Sequence, residues 1–87
     1  MLDLNPYFQR KLGETLEYHD EDKCRTYLME VIAVNDRPNA VYFEVESRSQ
    51  SVTGHHQSWD YYGVVEVDLN QTQSVRSVLK TALEKII

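Results

Sequence analysis

Three segments of alternating apolar and polar residues dominate the chain, at residues 25–34, 40–48 and 59–69. Because successive side chains of a β-strand point to opposite faces, each segment predicts a strand with one buried side and one solvent-facing side. Turn-forming residues at 35–39 join the first two strands as a hairpin. The side chains expected to point inward are Tyr27, Met29, Val31, Ala33, Val41, Phe43, Val45, Trp59, Tyr61, Gly63, Val65 and Val67. The pattern therefore predicts a three-stranded antiparallel meander, in which Gly63 indicates a bulge or a close helix crossing.

A helix is predicted before the strands, at residues 6–17. Asn5 followed by Pro6 is typical of an N-cap with proline at the first helical position. The apolar stripe of this helix recurs every four residues, at Phe8, Leu12 and Leu16. Gly13 costs about 1 kcal/mol relative to alanine inside a helix. It leaves open an alternative in which Thr15 to Tyr18 form an extra edge strand.

A second helix is predicted at residues 71–86, where Asn70 and Gln73 resemble a capping box. Its apolar stripe consists of Val75, Val78, Leu79, Ala82, Leu83 and Ile86. Both helices must bury their stripes against the apolar face of the sheet. Residues 1–87 are therefore predicted to form a single α+β domain of two layers, with the order α-β-β-β-α and both helices packed on one face.

The chain is acidic, with fourteen Asp and Glu against nine Lys and Arg and a formal charge of -5. That charge repels phosphate backbones and anionic lipids and favours basic partners. Double-stranded-RNA-binding domains have the same element order, but they carry a basic cluster at the start of the closing helix. Here residues 70–74 read NQTQS. We therefore expect neither direct nucleic-acid binding nor membrane binding.

Cysteine usage and the N-terminal residues favour a cytoplasmic protein. The single cysteine, Cys24, cannot form an intramolecular disulfide. The N-terminus lacks the basic start and apolar stretch of a signal peptide, and no apolar run approaches the roughly 20 residues that span a bilayer.

The solvent-facing side of the predicted sheet is a candidate surface for a protein partner. Its residues are expected to be Glu30, Tyr42, Glu44, Glu46, Asp60, Tyr62, Glu66 and Asp68. Tyrosines supply rigid contact area, and carboxylates pair with Arg or Lys of a basic partner. The alternative is a solvated face whose charges serve solubility and whose tyrosines only stabilise the sheet.

The same side is expected to carry four aliphatic residues, Leu28, Ile32, Val34 and Val64. Aliphatic residues at solvent-facing positions indicate that part of the face is covered. They predict a contact with a partner or with a second copy of the chain as a homodimer.

No motif in the chain indicates catalysis, a cofactor or a metal. Residues 47–58 form a long polar segment that is a candidate binding loop or a tip without function. His55 and His56 are adjacent, so in an extended chain they point to opposite sides and do not chelate one metal together. Cys24 lies among acids that raise rather than lower a thiol pKa, which disfavours a reactive thiolate.

The leading hypothesis is a small acidic, non-enzymatic protein that binds a basic protein partner. Its size and charge are typical of inhibitors and antidotes, including phage anti-defence proteins, that occupy a basic surface of their target. The alternative is a structural homo-oligomer or an accessory subunit of a larger complex.

Overall fold

A computed structural model describes residues 3–50, 57–71 and 74–86. In these residues the element order is α-β-β-β-β-α, with α1 (Asn5–Gln9), β1 (Thr15–Asp20), β2 (Arg25–Asp36), β3 (Asn39–Gln50), β4 (Gln57–Asp68) and α2 (Val75–Ile86). The strands form one antiparallel sheet in the order β1-β2-β3-β4. Side chains of both helices pack against one face of this sheet, called here the inner face. The expected α+β class is confirmed, with four strands instead of three.

The extra strand is β1, so the expectation of a helix to residue 17 is wrong beyond Gln9. Gly13 adopts a φ of +83°, a backbone conformation that glycine enters without the steric cost paid by other residues. Its N–H donates to the Val31 carbonyl at 2.8 Å, and the Val31 N–H donates to the Glu14 carbonyl at 3.0 Å. These two bonds begin the pairing with β2 that continues through β1. The alternative of an edge strand at Thr15 to Tyr18 is therefore confirmed, and the strand continues to Asp20.

Asn5 is not the N-cap of α1 but its first residue. The side-chain amide of Asn5 donates to the Asn35 carbonyl at 2.9 Å and to Asn39 Oδ1 at 2.8 Å. These bonds tie the helix to the turn between β2 and β3. Pro6 is consequently the second residue of α1 and not the first as expected, although it still lies in the first turn.

A bulge in β2 shifts the alternation of side chains, so the residues after it point to the faces opposite to those expected. Val31 pairs with Phe43, but Ala33 pairs with Tyr42, so Ile32 is an extra residue. Val34 consequently pairs with Val41 and packs against the core, whereas Ala33 belongs to the other face. The expected faces of Ala33 and Val34 are therefore wrong.

A second bulge has a larger effect on β4. Val45 pairs with Gly63, but Glu46 pairs with Tyr61, so Tyr62 is the extra residue. Gly63 has a φ of +92°, and a Cβ built on it would meet nothing within 4 Å. Glycine is needed here for its backbone angle and not for space, as expected at a bulge.

The bulge at Gly63 reverses the faces of residues 59–62 in β4. Asp60 and Tyr62 point to the inner face, while Trp59 and Tyr61 point away from the helices. Trp59 is 55 % exposed and Tyr61 is 65 % exposed. The expectation that these two aromatic residues are inward and that Asp60 and Tyr62 are outward is wrong.

The closing helix α2 begins at Val75, four residues later than expected. Ser74 Oγ accepts a hydrogen bond from the Ser77 N–H at 3.1 Å and so satisfies one of the unpaired donors at the helix start. Gln73 of the expected capping box lies outside the described residues. The expected apolar stripe is confirmed, because Val78, Leu79, Ala82 and Leu83 are buried and Val75 and Ile86 pack against the core.

The core lies between the helices and the inner face, and Phe8 stacks edge-on against Phe43 with ring centroids 5.8 Å apart. A 12-residue helix such as α2 spans about 18 Å, whereas 12-residue strands such as β2, β3 and β4 span about 40 Å. The helices consequently cover only part of the inner face, and they leave the opposite face of the sheet uncovered.

Trp59 is the only tryptophan in the chain, so its fluorescence tests the bulge directly. We expect emission typical of a water-exposed indole in the folded protein, efficient quenching by acrylamide, and little red shift on unfolding in urea. Blue-shifted emission that acrylamide does not quench would place Trp59 on the inner face and contradict the register shift.

Candidate functional site

The candidate site is the uncovered side of the sheet, called here the outer face. Positions on it follow from the strand pairing, in which Glu17 lies beside Leu28, Leu28 beside Glu46 and Glu46 beside Tyr61. Its carboxylates are Glu17, Glu30, Glu44, Glu46, Glu66 and Asp68, and its aromatic residues are Tyr42, Trp59 and Tyr61. Its larger aliphatic residues are Leu28, Ile32 and Val64.

Large apolar side chains are exposed mainly on this face. Among the described residues, five large hydrophobic side chains are exposed, and four of them lie here: Ile32, Trp59, Tyr61 and Val64. The fifth is Leu12, in the turn before β1. Exposed aromatic and aliphatic residues gathered on one surface are typical of a protein-binding site.

Charge is segregated on the molecule in the same way. The outer face carries six carboxylates and one arginine, Arg48, which leaves an excess of five negative charges. The remaining eight acidic and eight basic residues of the chain cancel. The formal charge of the whole chain is therefore concentrated on the outer face.

Two tyrosines of the outer face contact its carboxylates. The pKa of Tyr42 is raised first by a hydrogen bond to Glu66, its direct neighbour on β4, and then by burial. The pKa of Tyr61 is raised first by partial burial, and then by the charge of Glu44, a hydrogen bond to Glu44 and the charge of Glu46. Both hydroxyls therefore keep their protons at neutral pH and can donate to carboxylates.

Arg48 is the one Lys or Arg side chain of the outer face among the described residues, and its contacts lie within that face. Its guanidinium lies 5.8 Å from the centroid of the Trp59 ring, and its Nη2 atom lies 3.9 Å from Glu17 Oε1. The register places Arg48 directly opposite Trp59. An aromatic ring and a carboxylate thus hold an arginine on this surface.

Asp60 and Tyr62, which were expected on the partner-binding surface, belong to a polar cluster at the end of the inner face. Arg25 Nη1 donates to Asp60 Oδ2 and, at 2.9 Å, to Ser47 Oγ. The hydroxyls of Ser47 and Tyr62 lie 3.0 Å apart, and the Tyr62 ring centroid is 6.2 Å from that of Tyr27. Ser47 is fully buried as a result. This cluster lies at the edge of the core, where Ile86 of α2 and Tyr62 both pack against it.

The structure brings together six of the eight residues expected on the partner-binding surface: Glu30, Tyr42, Glu44, Glu46, Glu66 and Asp68. Sequence reasoning missed four that lie beside them: Glu17, Arg48, Trp59 and Tyr61. The sequence contained a signal for the two aromatic residues. Gly63 indicated a bulge, and a bulge shifts the alternation of the residues before it by one position. Of the expected oligomer contact, Leu28, Ile32 and Val64 remain on the outer face, whereas Val34 does not.

The described residues of the polar segment 47–58 belong to strands and not to a loop. Residues 47–50 belong to β3 and residues 57 and 58 to β4, while residues 51–56 lie outside the described residues, together with His55 and His56. The prediction of a binding loop is therefore wrong for the strand positions.

Features for other kinds of site were also sought in the described residues. They contain no group of three His, Cys, Asp or Glu side chains that could hold a metal, and no helix there is long and apolar enough to cross a membrane. His19 Nδ1 lies 3.0 Å from Thr26 Oγ1, and Cys24 Sγ bonds to the Glu21 carbonyl at 3.7 Å. No hydrogen bond joins His19 to Cys24 in this part of the chain.

Comparison with known proteins found no match among family models, curated proteins or solved structures. The geometry and charge of the outer face are therefore the features that bear on function.

Replacing Asp60 by asparagine tests the structural role of the polar cluster. Because the Arg25–Asp60 ion pair is partly exposed, we expect Asp60→Asn to cause a small decrease in the free energy of unfolding. Asp68→Asn is the matched control, since Asp68 is exposed and makes no ion pair in the described residues. Urea denaturation should show a smaller change for Asp68→Asn, and equal changes would contradict the assignment.

Proposed function

We propose that this chain is a small protein-binding module that docks a basic protein on the outer face of its sheet. The observation that carries the proposal is the charge segregation, because the outer face alone accounts for the formal charge of -5. A surface of one sign attracts partners of the opposite sign over long distances and orients them before contact.

The size of the outer face supports docking of a protein. Strands about 4.8 Å apart and about 40 Å long give a four-stranded face on the order of 700 Å², close to the roughly 800 Å² that each partner contributes to a standard interface. Trp59 and Tyr61 are aromatic residues of the kind that dominate binding energy at interfaces. The carboxylates around them can pair with Arg or Lys of the partner.

Occupation of a basic surface on the target is the use that these features favour, as in an inhibitor or antidote. The domain needs no chemistry of its own for this role, since binding alone blocks the surface that it covers. The proposal is therefore of a non-enzymatic protein that acts in the cytoplasm.

The alternative, a homo-oligomer or accessory subunit that uses the aliphatic residues, is weakened. Val34 packs against the core, so Leu28, Ile32 and Val64 are the remaining members of that contact. Each lies among the carboxylates of the outer face. Two copies joined through this face would bring two surfaces of five excess negative charges together, which is unfavourable.

Reversal of three outer-face charges should abolish binding to the native partner. We expect the triple variant Glu44→Lys, Glu46→Lys, Glu66→Lys to lose the interaction, because it removes three attractive charges and adds three repulsive ones. Binding by the unaltered chain should also weaken strongly between 0.05 and about 0.5 M salt, as the Debye length falls below roughly 10 Å. The measurement is affinity capture from the native host with each variant as bait.

The matched control reverses three acidic residues away from the outer face, Glu21, Asp22 and Glu84. Both triple variants have the same net charge, so a difference between them reports the position of the charges. The expected result is a basic protein retained by the unaltered chain and by the control, and lost from the outer-face variant. Equal retention by both variants, with both shown to be folded by circular dichroism, would contradict the proposal.

The same charge argument predicts that the isolated chain is a monomer. Sedimentation velocity at low salt should give one species with the mass of one chain, 10.2 kDa, over a hundredfold range of concentration. A stable dimer that Val64→Lys dissociates would instead support the homo-oligomer alternative.

A further inference from the structure

The outer face contains one complete arrangement for holding an arginine. Arg48 lies over the ring of Trp59 and beside the carboxylate of Glu17, at the distances given above. A guanidinium suits this combination because it is planar and weakly hydrated, so it stacks on an aromatic ring while it donates to a carboxylate.

The neighbouring outer-face pair of β3 and β4, Glu46 and Tyr61, also combines an aromatic ring with carboxylates, but it has no arginine. Tyr61 lies directly opposite Glu46, and Glu44 is the preceding outer-face residue of β3. The ring is largely accessible, since Tyr61 is 65 % exposed. Neither glutamate makes an ion pair with any described residue. Tyr61, Glu44 and Glu46 therefore form the aromatic and anionic parts of such an arrangement, and the cation is missing.

A hollow of about 70 Å³ lies beside Glu44 and Glu46 on the side away from Tyr61, and it is lined by Thr15, Leu28, Glu30, Glu44 and Glu46. Leu28 supplies an apolar surface and the glutamates supply charge. This combination suits a side chain with an aliphatic stem and a cationic head.

The register also gives a physical reason why a cation is favoured here. Glu30 and Glu44 lie directly opposite each other on β2 and β3, and like charges in that position destabilise a sheet. A bound cation removes the repulsion. The chain's own arginine on this face, Arg48, is already held by Trp59 and Glu17, so the cation must come from another molecule.

We propose that Tyr61, Glu44 and Glu46 form a subsite for an arginine side chain of the basic partner, with the guanidinium on the Tyr61 ring and its N–H groups directed to the two carboxylates. The inference rests on the proposed function, and it specifies the side chain that is recognised. Arginine is favoured over lysine because the ammonium group of lysine is more strongly hydrated and lacks the planar fork that reaches two carboxylates.

Two synthetic peptides of equal length and charge test the subsite, one with five arginines and the other with five lysines. Isothermal titration calorimetry at low salt should show about two- to fivefold tighter binding of the arginine peptide, the effect of one exposed cation–π contact. Tyr61→Leu should bring the two affinities together while the lysine peptide binds as before. Glu44→Gln with Glu46→Gln should weaken both peptides.

Tyr7→Leu is the matched control, because it makes the same substitution on a tyrosine that packs on the helix side. It should keep the preference for arginine. Two-dimensional NMR with the arginine peptide should place the largest shifts at Glu44, Glu46 and Tyr61.

Equal affinity of the unaltered chain for both peptides, or a preference that survives Tyr61→Leu, would overturn the arginine subsite. Shifts centred away from these three residues would do the same. Failure of the docking proposal has a different signature, since the native partner would then be retained by the outer-face charge-reversal variant.

Discussion

The extra residue that β4 inserts before Gly63 determines which side chains of β4 lie beside the outward side chains of β3. Side chains of a strand alternate between two faces, so one inserted residue exchanges the faces of all the residues before it. Tyr62 thereby reaches Ser47 and Arg25 at the end of the inner face, and Trp59 and Tyr61 reach the outer face. The polar cluster and the aromatic part of the outer face have this single origin.

Coverage of one face by the helices explains why the outer face is free to bind. Phe8 of α1 and the apolar stripe of α2 pack against the inner face and form the core with it. No second layer among the described residues covers the other face, where carboxylates keep an otherwise aromatic and aliphatic surface soluble.

Lys85 of α2 also donates to the Glu66 carbonyl at 2.6 Å, which ties the end of the helix to the backbone of β4.

Prediction from the sequence succeeded where local periodicity is uninterrupted. Residues 40–45 alternate without a bulge, and the faces of Val41, Phe43 and Val45 were predicted correctly. The stripe of α2 is regular and was also predicted correctly. The predicted elements and faces are wrong where the period breaks. These places are the turn at Gly13, between α1 and β1, and the bulges beside Ile32 and Tyr62. Phe8, Leu12 and Leu16 fit a helical spacing by coincidence, because Phe8 belongs to α1, Leu12 to a turn and Leu16 to β1.

The amino-acid sequence by itself determined the α+β class, the acidic charge and most of the carboxylates of the outer face, because composition and alternation are local properties. Tertiary structure alone decided that Trp59 and Tyr61 join those carboxylates and that Asp60, Tyr62 and Val34 do not. The physical reason is that a bulge is selected by the pairing of two strands. Its position depends on which register best fills the core and satisfies Arg25, Ser47 and Tyr62 together, and these residues are distant in the chain.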